Sequence, residues 1–470
     1  MLQHNDISET WILSNLPLKK GKEIPLKRFH PYVFSGALES APPRTGFAML
    51  ESRDGEPMAV VQVNPEVGLC GRVFITEPEA LQQWVKASTE ERQRLIDVWI
   101  LRKLQSALDL RKNLFAEYFN QGASHASGLG ASMSPDSSQP ANKVQGRAIP
   151  ASAHSETIPG SGIKKTRQTT SGFRWINAEG DGFPGLILDY YQGTLVMQIS
   201  TAATDLLRPA LIRHIQSLQS QFPDSLNLLE RSDGGFRRAE SLPPVKTWHL
   251  GQENKEIWFS EHDIRLIADV QDGQKTGFFL DMRCMRELLG TMCENRSVLN
   301  LFSYTGGFGL HAIRGGASQI VQVDRSSLAM DISQKQIAEN FPEALERSEH
   351  HCMDVDQYLR ELPAEKKFDI VIADPPAFAK KKSDVKNAVR AYRKLHRSSI
   401  QRVSPGGLFL ACSCSHFIPA DHFQSIVIEA LASEGRQGQI LSQHRQAPCH
   451  PLAANHPEGH YLKSILLRVY

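Results

Sequence analysis

Long apolar runs, a secretory leader and paired cysteines are all missing from this 470-residue sequence. No stretch reaches the roughly 20 continuous apolar residues that a membrane span requires. The N-terminus, MLQHNDISET, has neither a basic nor an apolar segment, so we expect no secretory signal. The seven cysteines are odd in number and show no disulfide-like spacing, which favours a reducing compartment. These absences predict a cytoplasmic protein.

An excess of charge of one sign is also lacking, since the formal net charge is only +2. Global electrostatics therefore does not indicate a nucleic-acid-binding protein, and any basic surface must be local. One basic cluster lies near the N-terminus and consists of Lys19, Lys20, Lys22, Lys27, Arg28 and His30. Such a cluster suits phosphate contacts, although an ordinary solvated surface explains the charges equally well.

Phe, Tyr and Trp are absent from residues 121–172, where Ser, Gly, Ala, Pro and Gln dominate. Such a segment cannot bury enough apolar area to offset the entropy lost on ordering. We therefore predict a disordered linker or insertion. It follows a β-rich N-terminal domain, residues 1–87, and a connecting helix, residues 88–120.

Two further domains are predicted after the linker. Strand candidates around a turn at Gly193, followed by a helical segment, predict a small α+β middle domain over residues 173–270. Over residues 271–470 strands alternate with helix-length segments, which predicts parallel βαβ units with helices on both faces of the sheet. The predicted strands are residues 298–301, 319–323, 368–373 and 407–412.

A glycine-rich loop follows the first of these strands, in the sequence VLNLFSYTGGFGLHA of residues 298–312. Ligands of open α/β sheets bind beyond the carboxyl ends of the strands, and glycine lets the backbone approach a ligand closely. The loop formally matches the dinucleotide pattern G-x-G-x-x-A, with Asp324 as the ribose-binding acid. A lone match of this kind is weak. The loop therefore indicates a nucleotide-type cofactor and leaves a dehydrogenase open.

Two later strand ends distinguish between these interpretations. The motif DPPAF begins at Asp374, and its prolines keep the chain extended. Asp374 and Phe378 can therefore face a planar nucleobase, an arrangement that hydride transfer does not particularly need. Cys412 lies within the last predicted strand and should be a core residue. Cys414 should emerge into the site, where a thiolate could act as a nucleophile.

These motifs occur together with others along the chain. In order they are KEIPLKRFHPYVFSG from Lys22, ERSD from Glu230, GQKTGFFLDMR from Gly273, NLFSYTGGF from Asn300, DPPAF from Asp374, SCS from Ser413 and PEGHYLK from Pro457. In combination they resemble the RlmI family of S-adenosylmethionine-dependent rRNA (cytosine-C5) methyltransferases, over nearly the whole chain except about residues 121–170. The resemblance implies an α/β fold with a class I (Rossmann-like) methyltransferase domain, an N-terminal β-rich PUA domain that binds RNA, and a small α+β middle domain.

The resemblance also implies S-adenosylmethionine as the cofactor. By the family pattern the cofactor-binding residues are Lys275, Thr276, Gly277, Phe278, Asp281, Arg283, Phe302, Tyr304, Gly306, Asp324, Asp354 and Asp374. Those from Lys275 to Arg283 would close over the cofactor, and those from Phe302 to Gly306 would pass beneath its methionine portion. Asp324 would bind the ribose, Asp354 would bind the adenine amino group, and Asp374 would lie near the transferred methyl group.

The implied reaction forms 5-methylcytosine in large-subunit (23S) rRNA, with Cys414 and Asp374 as catalytic residues. The residues implied to bind the RNA are Phe378, Lys380 and Lys381. The chain departs from the family at Ala377, where a larger or basic residue is common. It also has no second cysteine after the prolines, so the base that takes the carbon 5 proton is not identified. We expect RNA as the partner, without membrane or metal, and a homodimer is compatible with the sequence.

Two alternative functions stay open at this point. Methylation of an exocyclic or ring nitrogen of adenine or guanine in RNA uses a similar acid-Pro-Pro-aromatic motif and needs no cysteine. A non-catalytic RNA-binding protein would not bind S-adenosylmethionine.

Overall fold

The computed structural model describes residues 11–120 and 169–470. Within these ranges the strands form a five-stranded sheet near the N-terminus, a second five-stranded sheet with a separate hairpin in the middle, and a seven-stranded C-terminal sheet. The predicted linker lies outside the described residues except for residues 169–172. These last residues belong to the middle domain, because the Ser171 N–H donates a hydrogen bond to the Ser260 carbonyl (2.8 Å).

The N-terminal sheet is β-rich as predicted, with the strand order β1-β3-β4-β5-β2. Its strands are β1 (Leu16–Pro17), β2 (Tyr32–Val33), β3 (Gly46–Glu51), β4 (Pro57–Val63) and β5 (Gly71–Ile75), and its short helices are Ile24–Lys27 and Pro78–Lys86. The strand β4 is buried on both faces, since Ala59, Val60 and Val61 are all inaccessible to solvent. Such strands consist of continuous apolar residues.

A long helix, Thr89–Leu114, follows this sheet. Its predicted start is confirmed by a capping box, in which the Glu91 N–H donates to Ser88 Oγ (3.3 Å) and the Ser88 N–H donates to the Glu91 carboxylate (2.7 Å). The helix does more than connect domains, because Trp99 and Leu108 share one core with Trp175 of the middle domain. No helix in the described ranges, this one included, has the length and apolar content that spanning a bilayer requires.

A fully buried arginine near the end of this helix joins three parts of the chain. Arg111 forms a bidentate pair with Asp181 (2.6 and 2.8 Å). It also donates to the carbonyl oxygens of Arg174 (2.8 Å) and Cys449 (3.0 Å). Asp181 and Arg174 belong to the middle domain, and Cys449 lies in the C-terminal domain.

The middle domain contains the sheet β10-β9-β8-β7-β6 and the hairpin β11-β12. Its strands are β6 (Gly172–Asn177), β7 (Leu186–Tyr191), β8 (Thr194–Ile199), β9 (Asn227–Ser232), β10 (Val245–Leu250), β11 (Glu256–Glu261) and β12 (Ile264–Asp269). Its helices are Ala202–Asp205, Arg208–Ser217 and Phe236–Ala239. The predicted turn at Gly193 is confirmed, since β7 and β8 pair antiparallel around it.

The C-terminal sheet has the strand order β15-β14-β13-β16-β17-β19-β18. Its strands are β13 (Ser297–Leu301), β14 (Gln319–Asp324), β15 (Ser348–Cys352), β16 (Phe368–Ala373), β17 (Val403–Ser413), β18 (Gly438–His444) and β19 (Lys463–Val469). The helices are Arg283–Gly290, Gly307–Arg314, Ser327–Asn340, Val355–Glu361, Val385–Ile400 and Ala420–Ser433. The strand order reverses between β13 and β16, and such a reversal opens a ligand crevice at the carboxyl ends of the strands.

The predicted parallel βαβ arrangement is confirmed for β13 to β17, which pair in parallel. It does not extend to β19, a strand that was not predicted, because β19 pairs antiparallel with both β17 and β18. Parallel neighbours need a long crossover connection, usually an α-helix, and residues 445–462 form none.

Replacing Arg111 with Leu should lower the free energy of unfolding by about 3–5 kcal/mol, because the Asp181 carboxylate would stay buried without its partner. The matched control is Arg102→Leu, at an exposed position of the same helix. It should change stability by no more than about 0.5 kcal/mol. Urea unfolding measures the free energy of unfolding of both variants. An equal decrease in the two variants would contradict the structural role of Arg111.

Candidate active site

A cavity of about 490 Å³ lies at the carboxyl ends of β13, β14, β16 and β17. Its size is within the usual range for small-molecule sites. Of the residues predicted for the site, those that line it are Lys275, Phe278, Asp281, Phe302, Tyr304, Asp324, Asp354, Asp374, Phe378 and Cys414. Residues separated by up to about 140 positions in the sequence therefore meet here, as strand ends of one sheet must.

The remaining predicted residues lie outside the cavity lining. Thr276 is buried behind the wall, where its hydroxyl donates to Asp189 (2.6 Å). Arg283 is also buried, and it contacts Glu261 (3.3 Å). Gly277 and Gly306 lie next to lining residues, whereas Lys380 and Lys381 are exposed beyond the rim.

The floor of the cavity is a loop of unusual backbone geometry. Phe302, Tyr304 and Gly306 all have positive φ angles, of 58°, 48° and 80°. Such angles are strained for residues other than glycine and occur at ligand sites. At Gly306 a side chain would also collide, because a Cβ would lie 2.3 Å from Ser333 Oγ. The Tyr304 hydroxyl accepts from the Gln274 N–H (2.9 Å), which ties the floor to the opposite wall.

Two acids at neighbouring strand ends are held by backbone amides. Asp324 accepts from the N–H groups of Tyr304 (2.9 Å) and Ser326 (3.0 Å). Asp354 caps the helix Val355–Glu361 through one carboxylate oxygen, Oδ1. A carboxylate has about four acceptor positions, so both acids keep capacity for hydroxyl or amino groups of a ligand.

A third acid, Asp281, carries a buried oxygen without a hydrogen-bond donor. Its Oδ2 accepts from Lys275 Nζ (2.8 Å) and the Tyr461 hydroxyl (2.5 Å). Burial would raise the pKa of Asp281, but Lys275 holds it well below its usual range. Among the described residues, Asp281 Oδ1 has no hydrogen-bond partner, and neither do the hydroxyls of Ser303 and Thr305.

These unpaired oxygens provide a test of whether the predicted cofactor fits. Most buried polar atoms in native proteins have a hydrogen-bond partner, so unpaired oxygens that line a cavity are candidates for contacts with a ligand or water. Asp281, Ser303 and Thr305 all line the cavity. The ammonium group of an amino acid has three donors, and a nucleoside has hydroxyl and amino donors for Asp324 and Asp354. The residues therefore fit S-adenosylmethionine.

The two predicted catalytic residues share a poorly solvated part of the cavity. Burial, together with the nearby Asp281, raises the pKa of Asp374 to about 7. Burial and Asp374 raise the pKa of Cys414 to about 11. Without a ligand, Cys414 is consequently a neutral thiol at physiological pH, whereas the nucleophile predicted from the sequence is a thiolate. A cation in the cavity would favour the ionised form of both groups.

Sequence reasoning gave no role to the residues that hold Cys414 in place. The Tyr392 hydroxyl lies between the hydroxyls of Ser413 (2.9 Å) and Ser415 (3.0 Å). Lys463 Nζ donates to the carbonyl oxygens of Ser415 (2.6 Å) and Ile418 (2.9 Å). The lysine at the start of a largely apolar strand could have indicated this role, since a lysine side chain is rarely buried without partners.

Arg286 is a second residue that the sequence reasoning missed. It lines the cavity, with its guanidinium over the Phe278 ring (4.8 Å). It donates to the Phe279 carbonyl (2.9 Å) and to both oxygens of Glu261 (2.7 Å each). Its partner belongs to a different domain, so no local sequence pattern could have revealed the role.

Comparison with known proteins agrees with this geometry. A family model described as S-adenosylmethionine-dependent methyltransferase matches residues 236–456. Ribosomal RNA large subunit methyltransferase I of Shewanella amazonensis is 40% identical over 302 residues, which cover 64% of this chain and 75% of the relative. The protein of that name from Yersinia pestis is 32% identical over 461 residues, covering 97% of this chain and 99% of the relative. The structure of a putative SAM-dependent methyltransferase from Streptococcus mutans shares the fold, with a TM-score of 0.71 at 20% identity, covering 97% of this chain and all of that one.

Replacing Gly306 with Ala should weaken S-adenosylmethionine binding about tenfold or more, an energy of about 1.4 kcal/mol, because the new Cβ collides with Ser333 and displaces the floor. The matched control is Gly435→Ala, which has a similar φ of 63° but no neighbouring atom within 4 Å. Its cost should be limited to the roughly 1–2 kcal/mol of left-handed strain. Calorimetric titration measures the affinity for S-adenosylmethionine, and urea unfolding measures the loss of stability. Equal cofactor affinity in both variants would contradict the role of the Gly306 contact.

Proposed function

The chain belongs to the ribosomal RNA large subunit methyltransferase I family, and we propose that it transfers a methyl group from S-adenosylmethionine to carbon 5 of a cytosine in large-subunit rRNA. One observation carries this proposal. Asp374 and Cys414 line the same cavity as the acids and the strained floor that fit the cofactor. A carboxyl group for the base and a nucleophile for carbon 6 are thus available where a methyl donor would lie.

In this proposal the loop that forms the floor of the cavity would hold the cofactor. Asp324 accepts hydrogen bonds from the ribose hydroxyls, and Asp354 accepts one from the adenine amino group. The unpaired oxygen of Asp281 accepts from the ammonium group of the methionine portion. Lys275 lies over the Phe279 ring (4.2 Å) and next to Asp281, where its charge is available to the carboxylate of the same portion.

The proposed mechanism uses Cys414 as a covalent catalyst. S-adenosylmethionine supplies an electrophilic methyl group on its sulfonium sulfur. The ionised Asp374 carboxylate takes the thiol proton of Cys414. The resulting thiolate adds to carbon 6 of cytosine, and the electrons of the 5,6 double bond make carbon 5 nucleophilic. Methyl transfer to carbon 5 would leave S-adenosylhomocysteine. A base then removes the carbon 5 proton, the double bond forms again, and the bond between carbon 6 and the Cys414 sulfur breaks to return the thiolate.

Asp374 supports the addition of Cys414 from the other side of the base. With a pKa of about 7, this carboxyl group is partly protonated at physiological pH. Ionised in the presence of the sulfonium, it accepts from the cytosine amino group; once it has taken the Cys414 proton, its neutral form donates to the cytosine ring nitrogen. Donation to the ring nitrogen withdraws electrons from the ring and stabilises the adduct. Phe378, at the rim, offers an aromatic face to the base.

The target base must leave its stack to reach Cys414, which favours a loop or a transiently open RNA segment. We propose that the N-terminal sheet is a PUA-like RNA-binding domain that helps to hold this RNA. Lys19, Lys20 and Lys22 are exposed there. Phe29 and Phe34 are also exposed, at 63% and 58%, and aromatic faces among basic residues suit unpaired bases. The seven free cysteines agree with the proposed cytoplasmic location.

Methylation of an adenine or guanine nitrogen is the alternative function. The raised pKa of Cys414 favours it, because this reaction needs no thiolate.

Replacing Cys414 with Ser distinguishes between the two reactions. We expect the wild-type protein to form 5-methylcytosine in protein-free large-subunit rRNA. The variant should lose transfer by at least about a thousandfold, since serine is a much weaker nucleophile, and keep its affinity for S-adenosylmethionine. Nucleoside analysis by mass spectrometry measures the product, and retained transfer in the variant would contradict the cytosine mechanism.

A trapping experiment checks the covalent step directly. RNA that contains 5-fluorocytosine has no carbon 5 proton to lose, so the adduct with Cys414 should persist. The wild-type protein should then form a complex with this RNA that survives denaturing electrophoresis. Cys414→Ser should not, and the absence of the complex with the wild-type protein would argue against an adduct.

Cofactor binding should change the ionisation of Asp374. Below about pH 7 the carboxyl group is mostly protonated, and a neighbouring sulfonium cation favours its ionised form. Binding of S-adenosylmethionine near pH 6 should therefore release up to about one proton more than binding of S-adenosylhomocysteine, whose sulfur is neutral. The difference should vanish above about pH 8, where Asp374 is already ionised. Calorimetry in buffers of different ionisation enthalpy measures it. The Asp374→Asn variant should release the same number of protons with either ligand. Equal proton release by the wild-type protein would mean that the sulfonium does not lie near Asp374.

A further inference from the structure

A row of basic residues begins immediately beyond the rim of the cavity. Residues 374–378 line the cavity, and the next exposed side chains are basic. We call this set the rim cations; its members are Lys380, Lys381, Lys382, Lys386 and Arg390. Within the described part of the chain, none of them forms an ion pair with a carboxylate. Asp384, inside the row, accepts hydrogen bonds from the backbone N–H groups of Lys380 and Lys381 (3.2 Å each) and so orders the turn.

The other exposed cations of the helix Val385–Ile400 behave differently, because each is paired with an acid. Arg393 contacts Glu429, Lys394 contacts Asp356 (2.5 Å), and Arg397 contacts Glu434 (2.8 Å). This helix contains no Asp or Glu of its own. Its basic residues are thus divided between an unpaired group near its start and a paired group in its second half.

The unpaired group lies on the side of the domain where the cavity opens. In a parallel βαβ unit the helix begins at the edge where the preceding strand ends and runs back along the sheet. Lys386 and Arg390 are therefore near the carboxyl end of β16, about 6 Å apart along the helix axis. The rings of Phe378 and Tyr392 pack together with their centroids 4.7 Å apart, and this contact fixes the helix to the rim.

We propose that the rim cations, extending along the helix through Lys386 and Arg390, bind the phosphates of the RNA strand that flanks the target base. This inference rests on the proposed function. An overall charge of +2 gives no general attraction for RNA, so affinity must come from local groups of this kind. Unpaired cations bind phosphate without first breaking an ion pair, and each contact made releases counterions. An acidic protein surface would be the competing partner, but the rim cations directly follow residues that line the cavity, which places them close to a strand whose base enters it.

The test compares two double variants of equal charge change on one helix. Lys386→Gln with Arg390→Gln removes unpaired cations, and Arg393→Gln with Arg397→Gln removes paired ones. Binding to protein-free large-subunit rRNA is measured across a salt series. Each phosphate contact contributes about 0.7–0.9 to the magnitude of the slope of log affinity against log salt concentration. The slope of the first variant should therefore be smaller than the wild-type slope by about 1.4–1.8. The second variant should keep the wild-type slope, and both should bind S-adenosylmethionine normally because none of the four residues lines the cavity.

The possible outcomes separate this inference from the function on which it rests. Wild-type methyl transfer together with a reduced slope only in the Lys386 and Arg390 variant supports the phosphate contact. Equal reductions in both variants, or none in either, overturn it while leaving the methyltransferase proposal in place. Absence of methyl transfer to the rRNA by the wild-type protein, despite a slope that depends on Lys386 and Arg390, overturns the proposed function instead.

Discussion

A buried carboxylate, Glu261, connects the middle domain to the wall of the active-site cavity. Its oxygens accept from Arg286 (2.7 Å each), Arg283 (3.3 Å) and His311 (3.1 Å), all of which are buried. Burial would raise the pKa of Glu261, but these partners, Arg286 first among them, hold it well below its usual range. Loss of one partner would leave a buried charge uncompensated, which costs several kcal/mol. Since Arg286 also holds Phe279, the position of the wall depends on this cluster.

Within the cavity, the same low polarity acts on the groups that would perform the chemistry. Asp374 and Cys414 are both harder to ionise than in water, with pKa values of about 7 and 11. Asp281 stays ionised because Lys275 is adjacent. A site of this kind favours a positively charged ligand over a neutral one, and the sulfonium of the proposed methyl donor has that charge. Cofactor binding and nucleophile activation are therefore coupled in the proposed mechanism.

In the C-terminal sheet, most of the buried and largely apolar strands were predictable. The segments predicted for β13, β14, β16 and β17 were found, because strands covered on both faces are largely apolar. The strands β15, β18 and β19 were missed. The strands β15 and β18 lie at the two edges of the sheet and contain the polar sequences SEHHC and GQILSQH. An edge strand is partly solvated, so its sequence carries little periodic signal. The strand β19 lies between β17 and β18 and is buried, so burial by itself did not make a strand predictable.

For the site, the sequence alone reveals which chemical groups are present and that they follow strand ends. Asp324, Asp374 and Cys414 could be predicted to meet because parallel strands end at one edge of a sheet. How these groups ionise, and which cations of the described residues form no ion pair, depends on the tertiary packing. The pKa of Cys414 depends on burial and on Asp374, and the pairing of Arg397 depends on Glu434, which comes from another helix. Burial and ion pairing are properties of packed neighbours, and those neighbours are distant in the sequence.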